Sequence, residues 1–511
     1  MLKRDVQINV NTNPVAKIKT QALVLGVFQD EGFRGEAVQE IDTLYGGILT
    51  SLFERGEIRG ELKEFHIFHE LKEGIERVIV LGCGKRESFT PDTIRFLAAK
   101  GARTARKLGL NEASFLLEPF RGLEPEILGV TSAEGLLMGL DRFEVYKTKK
   151  RKGDRDEFTQ FVLVGDDNER DRLEAGVTRG QILAEGNVIA RSIANHPGNK
   201  MTPSILADEA QRIAKEYSLG FSVMDEPELE QKGFEGIVSV SKGSDENCKL
   251  IKMTYRGRKN SSDVDIAIVG KGLTFDAGGI SIKPSANMHL MKYDMCGSAA
   301  TLGAARIVAG IAPEINVNFY IPSSENLCGS KAYKPGDILN MYGGISVEIT
   351  NTDAEGRLIL ADAIALAVEE GAQRIVTTAT LTGAVVGALG HWRSGLMCRD
   401  PHLKEIFMDA AEECEELVWE LPLDKEYKVL LKSPIADLVN SGPRVAGAIT
   451  AGIFLNEFAG SLPFCHLDIA GTAWVENLPT QYNFKPYLPK DGASGTAART
   501  IGLAIEKLAN A

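Results

Sequence analysis

The chain has 511 residues, of which 44% are hydrophobic and 25% are charged, which is ordinary for a globular protein. Acidic side chains outnumber basic ones by 70 to 58, and the formal net charge is -12. This acidic balance disfavours a dedicated nucleic-acid-binding protein, because such proteins present positive charge to the phosphate backbone.

The N-terminus lacks the apolar segment of a secretory signal, and no apolar run reaches the roughly 18 residues that a membrane-spanning helix needs. The seven cysteines are widely spaced and include no Cys-x-x-Cys pair. That pattern is typical of reduced thiols in a cytosolic protein. We therefore expect a cytoplasmic protein with no membrane segment.

Residues 1–167 alternate apolar, β-branched runs with helical stretches, and this pattern predicts a self-contained α/β domain. The predicted strands cover 6–10, 22–27, 77–81 and 158–164, and the predicted helices cover 90–108 and 125–140.

A basic run lies near the end of this domain and comprises Lys147, Lys149, Lys150, Arg151 and Lys152. A solvated loop is the ordinary interpretation. Contact with a polyanion such as DNA is the alternative.

The apolar spacing over residues 168–195 predicts a long connecting helix. This helix should end at the helix-breaking residues 195–199. Residues 196–511 then resume the α/β alternation. The predicted strands there cover 264–269, 315–321 and 374–378, and the predicted helices cover 204–217, 297–308, 357–370 and 445–458. We therefore predict a two-domain α/β protein, with a smaller N-terminal domain and a larger C-terminal domain. The larger domain would have a mixed, mostly parallel sheet flanked by helices.

Polar residues gather in two segments of otherwise apolar sequence. In the first, Lys271 and Asp276 lie at or just beyond the end of the strand predicted over 264–269, and Lys283 and Asp294 follow shortly after. Ligands of open α/β sheets bind beyond the carboxyl ends of the strands. This segment is therefore a candidate ligand site.

The second segment lies directly before a strongly apolar helix and contains Asp353, Glu355 and Arg357. On an extended backbone, side chains two positions apart point the same way, so these three are predicted to face one site. Crowded carboxylates resist ionisation unless a cation neutralises them. Together with Asp276 and Asp294, these acids suit one or two divalent metal ions.

Ordinary structural roles stay open for each residue. Asp294 could cap a helix, and Asp353 and Glu355 could be first-turn acids that complement a helix dipole. Lys283 could be a surface lysine, and the Gly-x-Gly at Gly270 could be a plain tight turn. A carboxylate-bridged metallophosphatase is the alternative class of enzyme, because metal-binding acids alone do not identify the bond that is hydrolysed.

The sequence Asn-Thr-Asp-Ala-Glu-Gly-Arg-Leu at 351–358 is similar to the signature octapeptide of the leucyl aminopeptidase family, the M17 metallopeptidases. Further segments resemble other blocks of that family, and the resemblance covers the chain from about Asn195 to its C-terminus. These segments are 269–276, 279–284, 293–297, 379–384 and 466–474.

The resemblance implies a site for two divalent ions, manganese or zinc. Lys271, Asp276, Asp294 and Glu355 would hold one ion. Asp276, Asp353 and Glu355, with the backbone carbonyl of Asp353, would hold the other. Ligation by Lys271 requires a neutral amine, and therefore a strongly lowered pKa.

The resemblance also assigns roles to residues that do not bind metal. Lys283 and Arg357 match the two catalytic cations of the family, and a bicarbonate is expected at Arg357. Met291, Thr380 and Gly383 would line the pocket for the substrate side chain.

The implied activity is a metal-dependent aminopeptidase that releases apolar residues such as leucine from short peptides with a free N-terminus. A two-metal-activated water would attack the first peptide bond. The resemblance implies a cytoplasmic homohexamer, built as a dimer of trimers. An additional DNA-binding or regulatory role through the N-terminal domain or the basic run is the alternative.

Overall fold

A computed structural model describes residues 6–69, 74–149, 158–476 and 485–511. The chain forms two compact units, Met1–Ala184 with Asn483–Pro489, and Glu185–Tyr482 with Lys490–Ala511. Each unit contains a sheet with flanking helices, which confirms the predicted two-domain α/β class. The division between the units falls within one long helix, so the domain limits at 167 and 195 stay a prediction.

The first unit contains six strands and four helices in its described residues, and the long helix α5 follows them. The strands are β1 (Gln7–Asn11), β2 (Leu23–Val27), β3 (Phe65–Phe68), β4 (Val78–Gly82), β5 (Glu112–Leu116) and β6 (Gln160–Val164). The helices are α1 (Glu36–Leu44), α2 (Ile48–Glu54), α3 (Pro91–Leu108), α4 (Pro125–Leu140) and α5 (Arg170–Ala194).

The sheet of this unit has the strand order β1-β6-β5-β2-β4-β3, and only the pairing of β3 with β4 is antiparallel. Alternate residues of its central strands enter two separate cores. Val24 and Ile79 belong to one core, whereas Leu25 and Val80 belong to the other. Both faces of the sheet are therefore covered, which explains why the strands read as unbroken apolar runs.

The second unit is larger. Its helices are α6 (Pro203–Glu216), α7 (Glu226–Lys232), α8 (Glu235–Ser241), α9 (Cys296–Ile311), α10 (Gly356–Glu369), α11 (Gly383–Leu389), α12 (Pro401–Glu413), α13 (Gly447–Phe458) and α14 (Ala498–Ala509). Its strands are β7 (Gly220–Asp225), β8 (Lys249–Arg256), β9 (Ile266–Gly270), β10 (Gly272–Asp276), β11 (Asn316–Asn326), β12 (Ile338–Asn340), β13 (Ser346–Glu348), β14 (Ile375–Ala379), β15 (Ser394–Cys398), β16 (Val418–Glu420), β17 (Leu438–Val439), β18 (Phe464–Asp468), β19 (Trp474–Val475) and β20 (Gly492–Ala493).

The main sheet of this unit is mixed, with the order β16-β15-β18-β14-β9-β11-β8-β7 and with β10 paired to β11. Its central strands β18, β14, β9 and β11 are parallel neighbours, and β10 also runs parallel to β11. Their carboxyl ends therefore meet at one edge of the sheet. This edge carries the polar residues that follow β9, β10 and β14.

Every predicted strand and helix named above has a counterpart within a few residues in the structure. The long apolar runs made these elements recognisable. The antiparallel strands β7, β8 and β15 and the central strand β18 were not predicted. β7 is largely exposed and therefore lacks the apolar run that marks a buried strand.

The basic run lies only partly within the described residues. Lys147 forms an ion pair with Glu144 at 3.3 Å, whereas Lys150, Arg151 and Lys152 lie outside the described residues. A DNA-binding role of this run stays a prediction. No helix in the described part of the chain combines the length and the apolar character needed to cross a membrane.

The N-terminus of α9 packs directly against the ends of β9 and β14. A Cβ atom at Gly270 would lie 2.3 Å from Thr301 Oγ1 and 2.6 Å from the carbonyl oxygen of Gly297. A Cβ atom at Gly297 would lie 2.2 Å from the carbonyl oxygen of Thr378. Glycine at these positions allows a helix and two strand ends to approach closely, so the Gly-x-Gly at Gly270 is more than a plain turn.

We expect the substitution Gly270→Ala to destabilise the protein by about 1–3 kcal/mol, because the added methyl group meets backbone that cannot move freely. Guanidinium unfolding followed by circular dichroism measures the change. Gly387→Ala is the matched control, since a Cβ atom there has no neighbour within 4 Å. Equal midpoints for the two variants would contradict the close packing.

Candidate active site

One cavity of about 450 Å³ in the second unit brings together all ten candidate residues. They come from the carboxyl ends of β9, β10 and β14, from the segment before α9, and from the N-terminal ends of α10 and α11. The ten residues are Lys271, Asp276, Lys283, Met291, Asp294, Asp353, Glu355, Arg357, Thr380 and Gly383. Their individual roles stay predictions.

Three carboxylates lie close together in this cavity. One carboxylate oxygen each of Asp276, Asp353 and Glu355 lies within 4.8 Å of the other two, a spacing that can hold a metal ion. Oδ1 of Asp276 accepts hydrogen bonds from the Gly278 backbone N–H at 2.8 Å and from Asn326 Nδ2 at 2.9 Å. These bonds fix the orientation of Asp276.

Lys271 is buried between two further oxygen atoms, with only 3% of its surface exposed. Its Nζ lies 2.8 Å from Asp294 Oδ2 and 2.9 Å from Glu355 Oε1, and it donates to the Thr380 carbonyl at 3.0 Å. The hydroxyl of Thr380 donates to Asp294 Oδ1 at 2.7 Å. Asp294 therefore contacts side chains across the cavity, and the N-cap of α9 is Met295 instead.

Lys283 contacts the other two acids of the cavity. Its Nζ lies 2.7 Å from Asp276 Oδ2 and 2.5 Å from Asp353 Oδ1. The turn at Gly278 and Gly279, where φ is +87° and +62°, directs the chain from Asp276 back toward Lys283. Lys283 is therefore part of the cavity and not an ordinary surface lysine.

The pKa values of the four acids reflect their crowding. Burial, with the charges of Glu355 and Asp294, raises the pKa of Asp276 well above its ordinary value. Burial raises the pKa of Asp294 to about 6 and also raises that of Asp353. For Glu355, burial acts to raise the pKa, but Lys271 and Lys283 outweigh it and the pKa is lowered. Such a cluster favours cations.

The pKa of Lys271 reflects burial and three carboxylates that act in opposite directions. Burial acts to lower it, but the carboxylates of Asp294, Glu355 and Asp276 together raise it above the ordinary lysine value. The lowered pKa expected of a metal-binding Lys271 depends on adjacent dications and stays a prediction. The ammonium groups of Lys271 and Lys283 neutralise part of the carboxylate charge.

The backbone around the signature segment is not extended, and this expectation was wrong. Asp353 lies in a turn, and its backbone N–H donates to Asn351 Oδ1 at 2.9 Å. Glu355 is the N-cap of α10 with helical backbone angles and caps no N–H with its side chain, and Arg357 lies in the first helical turn. The three side chains still line one cavity, because the turn leads directly into the helix.

Asn440, which follows β17, holds this segment in place. Its side-chain oxygen accepts from the Thr350 N–H at 2.9 Å, and its Nδ2 donates to the Asn351 carbonyl at 2.7 Å. Its backbone carbonyl accepts from Arg357 Nη1 at 2.7 Å. One residue from a distant part of the chain thus fixes both the turn and the guanidinium group.

Arg357 and Glu355 each keep one buried atom that is not engaged. Arg357 Nε and Glu355 Oε2 have no hydrogen-bond partner among the described residues. Burial lowers the pKa of Arg357 to about 10. Both groups line the cavity and can therefore bind a molecule or ion that enters it.

Three residues that support the site were not identified from the sequence as site residues. Asn326 bonds to Asp276, and Asn440 holds the signature segment. Asp468 accepts from the Leu381 N–H at 3.2 Å and from the Thr382 hydroxyl at 2.7 Å, which fixes the loop after β14. The position of Asn326 and Asp468 at the ends of buried strands was the available signal.

The chain matches two family models. Residues 188–502 match the catalytic domain of the cytosol aminopeptidase family, and residues 24–150 match the N-terminal domain of the same family. The chain belongs to the cytosol aminopeptidase family. These M17 peptidases are metal-dependent, and the chain is an aminopeptidase of the hydrolase class.

Relatives of this cytosol aminopeptidase family member align with it over nearly its whole length. A "Probable cytosol aminopeptidase" of Alkaliphilus oremlandii (strain OhILAs) is 39% identical over 498 residues, covering 97% of this chain and 98% of the relative. A protein of the same name from Solibacter usitatus (strain Ellin6076) is 40% identical over 499 residues, with the same coverage.

Two solved structures have the same fold as this cytosol aminopeptidase family member. A mutant of tomato leucine aminopeptidase superposes with a TM-score of 0.86 at 26% identity, covering 99% of this chain and 97% of that one. The bottromycin maturation enzyme BotP in complex with Mn superposes with a TM-score of 0.84 at 28% identity, covering 96% and 100%.

We expect Lys271→Met to destabilise the chelator-treated protein by about 3–5 kcal/mol, because the buried carboxylates of Asp294 and Glu355 lose their counter-ion. Guanidinium unfolding measures the loss. Lys334→Met is the control, since Lys334 pairs with Asp337 at the surface and such pairs contribute about 0–1 kcal/mol. A loss no larger than that of the control would mean that Lys271 does not balance these acids.

Proposed function

We propose that the protein is a dinuclear metal-dependent aminopeptidase that hydrolyses the N-terminal peptide bond of short peptides and prefers apolar residues such as leucine. The observation that carries this proposal is the cluster of Asp276, Asp353 and Glu355 oxygens within 4.8 Å of one another in the cavity. Two lysines and an arginine surround this cluster, as an amide hydrolase requires for developing negative charge.

The donor groups suit two divalent ions. Lys271, Asp276, Asp294 and Glu355 would hold one ion, and Asp276, Asp353 and Glu355, with the Asp353 carbonyl, would hold the other. The buried and unengaged Oε2 of Glu355 supports this assignment, because a buried carboxylate oxygen otherwise needs a partner. Ligation by Lys271 requires its amine to lose a proton, which a nearby dication favours.

When bound, the two ions would supply a water of lowered pKa, polarise the scissile carbonyl and offer a site for the free α-amine of the peptide. The chain's own residues position the reacting groups. Asn326 and the Gly278 N–H hold Oδ1 of Asp276, and its second oxygen, Oδ2, contacts Lys283. Lys283, which lies at that oxygen and at Asp353, would donate to the carbonyl oxygen as its negative charge grows.

Arg357 is proposed to hold a bicarbonate, which supplies a proton acceptor for the water. The guanidinium group is well placed for an anion, because its Nε is buried and unengaged and its Nη1 is anchored on the Asn440 carbonyl. Its position in the first turn of α10 adds backbone N–H groups of a helix N-terminus.

The substrate side chain would occupy the part of the cavity lined by Met291, Thr380 and Gly383. Apolar Val386 lines the same region. Methionine adapts to apolar groups of varied shape, and Gly383 leaves open space because no atom lies within 4 Å of a Cβ built there. These features support a preference for apolar N-terminal residues.

The cellular context of the enzyme is part of the same proposal. We propose a cytoplasmic homohexamer, a dimer of trimers, on the strength of the resemblance to the leucyl aminopeptidases. The name cytosol aminopeptidase of the relatives supports the compartment. The Mn complex of BotP supports manganese, and zinc suits the same ligands.

We expect chelation to abolish hydrolysis of leucine p-nitroanilide, and added Mn or Zn to restore it. Glu355→Gln, and likewise Asp353→Asn, should remove turnover and lower the metal content, because each loses a charged ligand. Activity is followed by nitroaniline absorbance and metal by mass spectrometry.

The exposed Glu405→Gln is the matched control and should keep both activity and metal. Turnover of p-nitrophenyl phosphate in place of the anilide would assign the metal site to a phosphatase. Near-normal activity of Glu355→Gln would overturn the ligand assignment.

We expect Lys283→Ala to keep its metal and to lower kcat by about 10²–10³-fold, or roughly 3–4 kcal/mol in the barrier, because one donor to the developing oxyanion is lost. Steady-state kinetics at saturating Mn measures the change, and Lys331→Ala at the exposed surface is the control. If metal is lost together with turnover, Lys283 holds the site together and does not act on the carbonyl.

A further inference from the structure

Two cysteines lie directly opposite each other in the main sheet of the second unit. Cys398 ends β15 and Cys465 lies in β18, and the antiparallel register pairs them. The backbone N–H of Arg399 donates to the Phe464 carbonyl at 2.9 Å, next to this pair. The cysteines therefore occupy a position without mutual backbone hydrogen bonds, where opposing side chains come closest.

The spacing at such a position suits a covalent link. Opposite residues in a pair of this type have Cα atoms about 4.5 Å apart, within the range of about 4.4–6.8 Å that disulfides span. The Cys398 thiol donates to the Asp400 carbonyl at 3.3 Å, and the strand register places Cys465 opposite it. A disulfide between Cys398 and Cys465 is therefore compatible with the pairing of the two strands.

The two thiols differ in a way that gives each a separate role. Cys398 is partly exposed, and the neighbouring Cys465 thiol lowers its pKa. Cys465 is fully buried, and burial raises its pKa. A reagent from solution therefore meets Cys398 first, and Cys465 lies behind it.

The remaining described cysteines offer no such pair. Burial raises the pKa of Cys83, Cys248, Cys296 and Cys414, which makes these thiols unreactive. Cys328 is exposed, and its thiol donates a hydrogen bond to the Gly279 carbonyl at 2.6 Å. Cys328 therefore reports on whether an oxidant has reached the protein.

We propose that Cys398 and Cys465 are a site of reversible oxidation, at which a low-molecular-weight disulfide converts the two thiols into an intrachain cross-strand disulfide. The thiolate of Cys398 attacks one sulfur of the reagent, forms a mixed disulfide and releases one thiol. Cys465 loses its proton and attacks Cys398, forming the Cys398–Cys465 bond and releasing the second thiol. The two cysteines are oxidised, and the reagent is reduced to two thiols.

This site is separate from the proposed metal centre, but the same strand leads to it. Three residues beyond Cys465, β18 ends at Asp468, which holds the loop after β14 through Leu381 and Thr382. In a reducing cytosol, a disulfide of this kind is transient, which agrees with free thiols in the resting protein.

The test uses the full-length protein and oxidised glutathione as the probe. After incubation, free thiols are blocked with N-ethylmaleimide, and the protein is digested without reductant and examined by mass spectrometry. We expect the peptide with Cys398 to be joined to the peptide with Cys465, and dithiothreitol to separate them. Cys328→Ser is the matched control and should form the same link.

Cys465→Ala should retain glutathione on Cys398, because no second thiol displaces it. The proposal is overturned if the unsubstituted protein keeps both thiols free under conditions that modify Cys328. It is equally overturned if that protein carries a lasting glutathione adduct on Cys398 without the link. Both of these outcomes are measured on the unsubstituted protein and do not depend on the folding of a variant.

Discussion

The structure of the site depends on the balance between three buried acids, a fourth that is half-buried, and the cations around them. Asp276, Asp294, Asp353 and Glu355 line one cavity, and burial alone would favour their neutral forms. Lys271 links Asp294 to Glu355, and Lys283 links Asp276 to Asp353. Each lysine thus joins acids from different segments and neutralises part of their negative charge.

The topology of the main sheet makes this gathering possible. Lys271, Asp276 and Thr380 each follow a strand whose carboxyl end lies at the same edge of the sheet, although they are far apart in sequence. The glycines at 270 and 297 allow α9 to approach that edge, which brings Asp294 to Lys271. The position of these acids is therefore a consequence of strand order and of the two glycines that lack a side chain.

The sequence predicted the parts of this arrangement that depend on local pattern. Apolar runs predicted β9 and β14, and the placement of Lys271 and Asp276 followed from the ends of parallel strands. The conformation around Asp353 was predicted wrongly as extended, because Asn440 imposes the turn from some ninety positions away. The support from Asn326 was missed for the same reason, because a hydrogen bond between distant segments does not appear in the periodicity of the sequence.

Asn440 also joins the site to a part of the fold outside the signature segment. Its backbone N–H bonds to the Glu348 carbonyl beside the small sheet of β12, β13 and β17, while its side chain and carbonyl hold the segment from Thr350 to Arg357. These hydrogen bonds couple that segment to the small sheet. A change in the small sheet that displaced Asn440 would therefore alter the turn before Asp353 and the position of Arg357 together.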